Sequence, residues 1–376
     1  MNPPITNNSP SKNHVNSTSF DKQGTEERKE EVKNLSIKIM SYNVCNSDKV
    51  AKDSSLCWES RKGRIFKLIL EESPDIICFQ EIRNADNICV MADLWNNLGN
   101  KEYDIISFRN NPTPASFINV IAYKMSVLSL DKVFRWWPSE KTPYQLSDDW
   151  GDGWGRVTLM AKFYPLTYQE VKNKKVMWPN FNKEPLYVVN LHNCLELEKR
   201  CQANKNTVER IKQEVKGGKK EEEIKGHVFV CGDYNNFPDN KDDNGHGGSD
   251  ELKYFTDQGY EEVSSELYLK TTEEAVEKKV RVSGTFIGFS NDPYPPPEPN
   301  TFGAQLDHIL YKHFPTPLVN KINFDYYVNP KKYFEDRENE VSSEKEALYD
   351  HHTGESLRDK FPSDHLPLVA VANNIW

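Results

Sequence analysis

The sequence predicts an α/β fold of two packed mixed β-sheets with helices outside them. Three observations carry this reading. From residue 36 onward, short apolar segments of strand length outnumber segments with helical spacing. The few helical segments fall between strands, so some strand pairs are free to run parallel. The chain of 376 residues holds 18 Phe, 17 Tyr and 8 Trp, enough aromatic bulk for a large core.

In chain order, "SIKIMSYNV" (36–44) alternates apolar and polar positions as a strand does. "SRKGRIFKLILEESP" (60–74) puts Ile65, Leu68 and Ile69 on one helical face and stops at Pro74. "DIICFQE" (75–81) is a short apolar strand closed by a carboxylate. "FINVIAYK", "GRVTLMAKFY", "PLYVVNLH", "HVFVCGD", "QLDHILY" and "LPLVAVA" are further strands, and a helix fits 196–216. Four stretches read as insertions or long loops: 166–184, 239–250, 290–300 and 329–360. The third, "SNDPYPPPEPN", is too rich in proline for helix or central strand. Residues 1–35 are polar and lack the apolar centre of a signal peptide, so they read as a disordered tail before a single domain over 36–376.

Composition narrows the function classes. A net charge of −9 argues against a broad basic face that tracks nucleic acid, but leaves room for a small acidic site that holds a cation. The seven cysteines include no CxxC pair and several sit in apolar runs, which reads as buried reduced thiols in a reducing, cytoplasmic compartment. No segment approaches the ~20 apolar residues of a membrane span, so no stable membrane insertion is expected.

The informative pattern is where polar residues fall on apolar strands. Asn43 ends the first strand, Glu81 the second, His192 ends "VVNLH", and Asp233 and Asn235 end "VFVCGDYN". Asp307 lies inside "QLDHILY", and Asp364–His365 open the last strand. A single acidic strand end is ordinarily a cap or a solvated terminus. Strand ends of a sandwich converge at one rim, so six of them together suggest a site. Asp307, between Leu306 and Ile309, needs a partner because an unpaired buried charge costs several kcal/mol. An imidazole would serve, and Asp–His pairing sets the ring tautomer and raises its basicity.

The segments "MSYNV", "PDIICFQEI", "VVNLHNCLE", "VFVCGDYNNFP", "QLDHILY" and "PSDHLPLV" together resemble, in order, the motifs of the endonuclease/exonuclease/phosphatase superfamily. The resemblance implies a four-layer α/β sandwich and a Mg²⁺-dependent phosphoester hydrolase in which Mn²⁺ can substitute. It implies Glu81 as the principal metal ligand, with Asn43 and Asp364 in or beside the metal shell. Asp233 would position or deprotonate water, while His192 and Asn235 contact phosphate. Asp307 would orient the catalytic His365. Cys45 stands where some relatives carry a second acidic ligand. A nucleic-acid or nucleotide phosphodiester is the first substrate expectation, and a phospholipid or inositol phosphate the second. A catalytically silent binding module is the third reading, disfavoured because every catalytic-type position is filled.

Two further segments resemble those of little-characterised microbial members: "FRWWPSEKTP" before the Arg156 strand, and "GTFIGF" (284–289). They suggest Arg156 as a phosphate contact. Trp136 and Trp137 read as core, and His351–His352 as solvated. The charged insertion 329–360 reads either as a solvated excursion or as a wall over the site.

Overall fold

The computed structural model describes residues 36–45, 56–83, 90–99, 102–110, 116–139, 143–146, 156–171, 174–220, 224–236, 248–263, 268–269, 280–281, 285, 305–314, 323–328, 363 and 365–376. The tail 1–35, residues 239–247 of the second insertion, the whole of 290–300 and of 329–360 with His351–His352, and Asp364 lie outside them.

Two mixed sheets form the body. The first has eight strands: β1 (Ile37–Asn43), β2 (Ile76–Arg83), β3 (Tyr103–Arg109), β4 (Phe117–Lys124), β11 (Tyr268–Leu269), β12 (Val280–Arg281), β14 (Asn323–Val328) and β15 (Leu368–Asn373). Their order is β12-β11-β14-β15-β1-β2-β4-β3. The second contains β5 (Leu128–Trp136), β6 (Thr158–Val171), β7 (Lys174–Pro179), β8 (Leu186–His192), β9 (Gly226–Asp233), β10 (Glu261–Glu262) and β13 (Asp307–Phe314). Its order is β10-β13-β9-β8-β6-β5, with β7 paired to β6. β1–β2 and β8–β9 are parallel pairs, while β1–β15 and β9–β13 are antiparallel.

Alternation along β9 and β13 explains the packing. Phe229, Cys231, Ile309 and Tyr311 enter one apolar cluster with Ile39, Ile77 and Val120 of the first sheet. Their neighbours Val228, Val230 and Leu310 enter another with Val208, Ile211 and Val215 of α3 (Leu197–Lys216) and Phe255 of α4 (Gly248–Thr256). One face of the second sheet therefore meets the first sheet and the other carries helices. The first sheet is covered in turn by α1 (Trp58–Glu72) and α2 (Val90–Leu94), whose apolar residues join the first cluster. α1 ends where Ser73 takes a left-handed conformation (φ 49°) and its N–H donates to Ile69 O, just before Pro74. Arg200 on α3 and Glu251 on α4 form a fully buried bidentate pair, both bonds 2.8 Å, which joins the two helices.

Several sequence expectations change. Residues 166–184 are not a loop: β6 continues to Val171 and pairs with β7 as a hairpin, from Leu166↔Pro179 to Val171↔Lys174. β3, β5 and β14 were not anticipated. β5 is an edge strand with an exposed middle, so it lacks the apolar run that marks central strands. Trp136 and Trp137 are buried as expected. Trp137 donates its indole N–H to Asn110 O at 2.8 Å. The six cysteines among the described residues are all free, and five are buried.

Candidate active site

Asn43 is the last residue of β1 and is fully buried. Its Oδ1 accepts from Cys45 N at 3.0 Å, so its Nδ2 is turned toward the second sheet. That nitrogen donates to Asp233 Oδ2 at 2.9 Å and to Glu81 Oε1 at 3.3 Å. One amide thus links two carboxylates from different sheets. Glu81 does not close its strand. β2 continues to Arg83, and Glu81 sits in an irregularity where the register with β4 shifts between Phe79 and Ile82. Its φ of 62° is left-handed. The bulge re-aims this side chain while Ile82 returns to the core. The buried Arg61 of α1 holds the exit of β1 by donating to Val44 O and Cys45 O at 2.8 and 2.9 Å.

β8, β9 and β13 bring His192, Asp233 and Asp307 into one row. His192 pairs in register with Asp233, and Asp233 with Asp307. Gly232 makes this possible: a Cβ there would stand 2.1 Å from Leu191 O. Asp233 Oδ1 then accepts from Asn235 N at 2.8 Å across a turn in which Asn235 has φ 53°. Asn235 Nδ2 donates to Asn193 O at 2.8 Å, and Asn193 N donates to Asp233 O at 2.9 Å. His192 Nε2 lies 3.6 Å from Asp233 Oδ2.

Asp307 opens β13 rather than lying within it. His365 precedes β15 by three positions and does not open it. Its Nδ1 lies 2.8 Å from Asp307 Oδ2. A carboxylate only accepts, so Nδ1 carries the proton and Nε2 faces Asp233 Oδ2 at 3.9 Å. Ser363 Oγ donates to Asn43 O at 2.7 Å and accepts from His365 N at 3.3 Å. Thr285, from the "GTFIGF" segment, ties this piece to β13. Its Oγ1 accepts from Leu306 N and Asp307 N at 3.2 and 3.1 Å, and its carbonyl accepts from Leu366 N at 2.8 Å.

Asp233 and Asp307 are buried carboxylates side by side. Burial pushes the Asp233 carboxyl up to about 6, with the Asp307 charge adding to it, while His365, Asn43 and the Asn235 N–H pull it down. Asp233 is therefore poised near neutrality, suited to taking a proton. Glu81, His192 and Asp233 place ligand atoms within 4.8 Å of one another, as do Asp233, Asp307 and His365. The carboxylates of Glu81 and Asp233, with Glu81 the partly exposed member, fit a hard divalent cation. Cys45 is buried; its backbone N–H donates to Asn43 Oδ1 and its carbonyl accepts from Arg61.

The expected residues Asn43, Glu81, His192, Asp233, Asn235, Asp307 and His365 thus stand at one rim. Arg156 is buried beside it, its guanidinium 5.7 Å from the Phe117 ring, which in turn lies 5.9 Å from the His192 ring. Sequence reasoning missed the layer beneath. Gln80 Nε2 donates to Asn190 Oδ1 at 2.8 Å, and Asn190 Nδ2 donates to Phe79 O and Val120 O at 2.9 and 2.8 Å. The available signal was a polar residue at an inward position of each of two buried strands.

Among solved structures, the fold is similar to an endonuclease/exonuclease/phosphatase family protein from Bacteroides thetaiotaomicron. The TM-score is 0.57 at 16% identity, covering 90% of this chain and 98% of that one. It is also similar to a mannosyl-6-phosphatase from Bacteroides thetaiotaomicron, with TM-score 0.55, 16% identity and coverage of 89% and 98%. An uncharacterised protein of Acanthamoeba polyphaga mimivirus is 32% identical over 130 residues, which are 34% of this chain. The match spans 48% of that relative, about half its length. The model of the Endonuclease/Exonuclease/phosphatase family matches residues 40–365, nearly the whole described body and every strand end at the rim. The chain belongs to the endonuclease/exonuclease/phosphatase family, whose members are metal-dependent phosphoester hydrolases.

Proposed function

We propose that this phosphoester hydrolase cleaves phosphodiesters of nucleic acid or nucleotide by in-line attack of water, with Mg²⁺ as its cation and Mn²⁺ able to replace it. The observation that supports the reading best is the Asp307–His365 pair at 2.8 Å, facing Asp233, which Asn43 links to Glu81. Glu81 would hold the cation, which when bound neutralises charge developing on phosphoryl oxygens.

The remaining roles belong to side chains of this chain. Asp233 Oδ2 holds the attacking water and takes its proton. Asp307 fixes the His365 ring so that Nε2 meets the phosphate or the water beside Asp233. His192, Arg156 and the second N–H of the Asn235 amide hold phosphate oxygens. The diester preference follows the commonest activity of the family, and the net charge of −9 favours a short or small substrate over a long polyanion.

The test is a panel assayed with purified protein in Mg²⁺ or Mn²⁺. It covers single- and double-stranded DNA, RNA with and without poly(A), dinucleotides, sphingomyelin, inositol phosphates and mannose 6-phosphate. Fastest turnover on a dinucleotide or oligonucleotide is the expected result. Preference for sphingomyelin, an inositol phosphate or a sugar phosphate would overturn the nucleic-acid or nucleotide reading, and no turnover on any of them would favour a binding module.

A further inference from the structure

The strands that carry the proposed catalytic rim have a second set of ligand-type residues at their opposite ends. Glu184 precedes β8, His227 lies at the start of β9, and His313 lies near the end of β13. His227 and His313 are direct register partners across β9 and β13. His313 Nε2 lies 2.6 Å from Glu184 Oε2, and His227 Nε2 lies 3.7 Å from the same oxygen. The imidazole rings are 4.8 Å apart between centroids. The three ligand atoms all fall within 4.8 Å of one another.

We propose that Glu184, His227 and His313 form a second metal site, of zinc class, that clips the far ends of β8, β9 and β13. The donor chemistry selects the ion. Two imidazole nitrogens and one carboxylate oxygen suit Zn²⁺, whereas Mg²⁺ prefers oxygens alone. A tetrahedron with bonds of about 2.0–2.1 Å has edges of about 3.4 Å, so the observed separations bracket the need and call for small side-chain shifts. His227 is set up as a donor: its Nδ1 lies 2.9 Å from the Tyr311 hydroxyl, which leaves Nε2 turned to the cluster. Burial and the adjacent His313 hold the His227 imidazole down at about 3, so it is neutral at pH 7. The Glu184 side chain is 34% exposed, which leaves a solvent side for a fourth, water ligand. Glu184 O also accepts from the indole N–H of Trp376 at 2.8 Å.

The experiment uses the full chain, purified without a polyhistidine tag and stripped with chelator. It carries Glu81→Gln so that the Asp233 end of the strands lacks its partly exposed carboxylate. Zn²⁺ retained after gel filtration, melting temperature, and the visible spectrum with Co²⁺ are read. One equivalent of Zn²⁺, tetrahedral Co²⁺ bands and a rise in Tm of roughly 5 °C at hundredfold excess over Kd are expected. Adding Glu184→Gln, at a partly exposed position, or His313→Gln should weaken binding at least tenfold and abolish the bands. Failure to retain Zn²⁺, or equal retention by both added variants, overturns the proposal.

Discussion

The two ends of β8, β9 and β13 are built from the same strands yet differ in kind. On β9, His227 and Asp233 are six residues apart, about 20 Å along the strand, and share a face. At the Asp233 end, groups from both sheets converge: Asn43 and Glu81 from the first, His192, Asp233 and Asp307 from the second, and His365 from the approach to β15. At the His227 end, the cluster comes from one sheet and its immediate flank. Three of the five non-glycine residues with positive φ among those described, Cys45, Glu81 and Asn235, stand at the first end. Chemistry on phosphate needs carboxylates and imidazoles brought together against their own desolvation, and that takes two sheets and strained backbone. Clipping strands needs only register.

Substitutions can break this contrast in graded steps. Glu81→Gln should show the largest loss, removing most activity and most Mg²⁺ affinity, since a neutral amide is a poor substitute for a carboxylate on a hard cation. Full activity in excess EDTA would contradict it. Asp307→Asn should lower kcat by roughly two to four powers of ten, in the range of other orienting carboxylates. Wild-type turnover in this variant, with His365→Ala dead, would remove the orienting role. Thr285→Val leaves the buried N–H groups of Leu306 and Asp307 without their acceptor, a penalty of about 1–3 kcal/mol. A lower Tm and a kcat reduced about tenfold with KM little changed are expected, because only the pose of Asp307 and His365 is disturbed. His313→Gln should do least at the Asp233 end, leaving turnover within about twofold, as expected of a site about 20 Å away. A larger fall would mean that the two ends are coupled.

Much of the Asp233 end was legible in the sequence because strand ends in a sandwich meet at a rim, and Asn43, His192 and Asp233 are true strand ends. Glu81 was legible as a residue but not as a geometry: nothing in "DIICFQE" marks a left-handed bulge with the strand resuming beyond it. The β6–β7 hairpin was hidden because its polar sequence carries no core-facing alternation. Thr285 was visible only through the resemblance of "GTFIGF", since its role rests on backbone groups far along the chain. The far cluster was invisible because its residues are spread from 184 to 313, and only the β9–β13 register makes neighbours of His227 and His313. The disordered-tail reading of 1–35 and the wall reading of 329–360 remain proposals about segments beyond the described residues.

The most direct test of the central claim, that the rim gathered around Asp307 and His365 is where phosphoester hydrolysis occurs, is the turnover of His365→Ala. It is measured at saturating Mg²⁺ on the preferred substrate of the panel, beside wild type, with Tm checked for both. The account predicts a fall of about a thousandfold or more in kcat with the fold retained. A folded His365→Ala protein turning over within tenfold of wild type would contradict it.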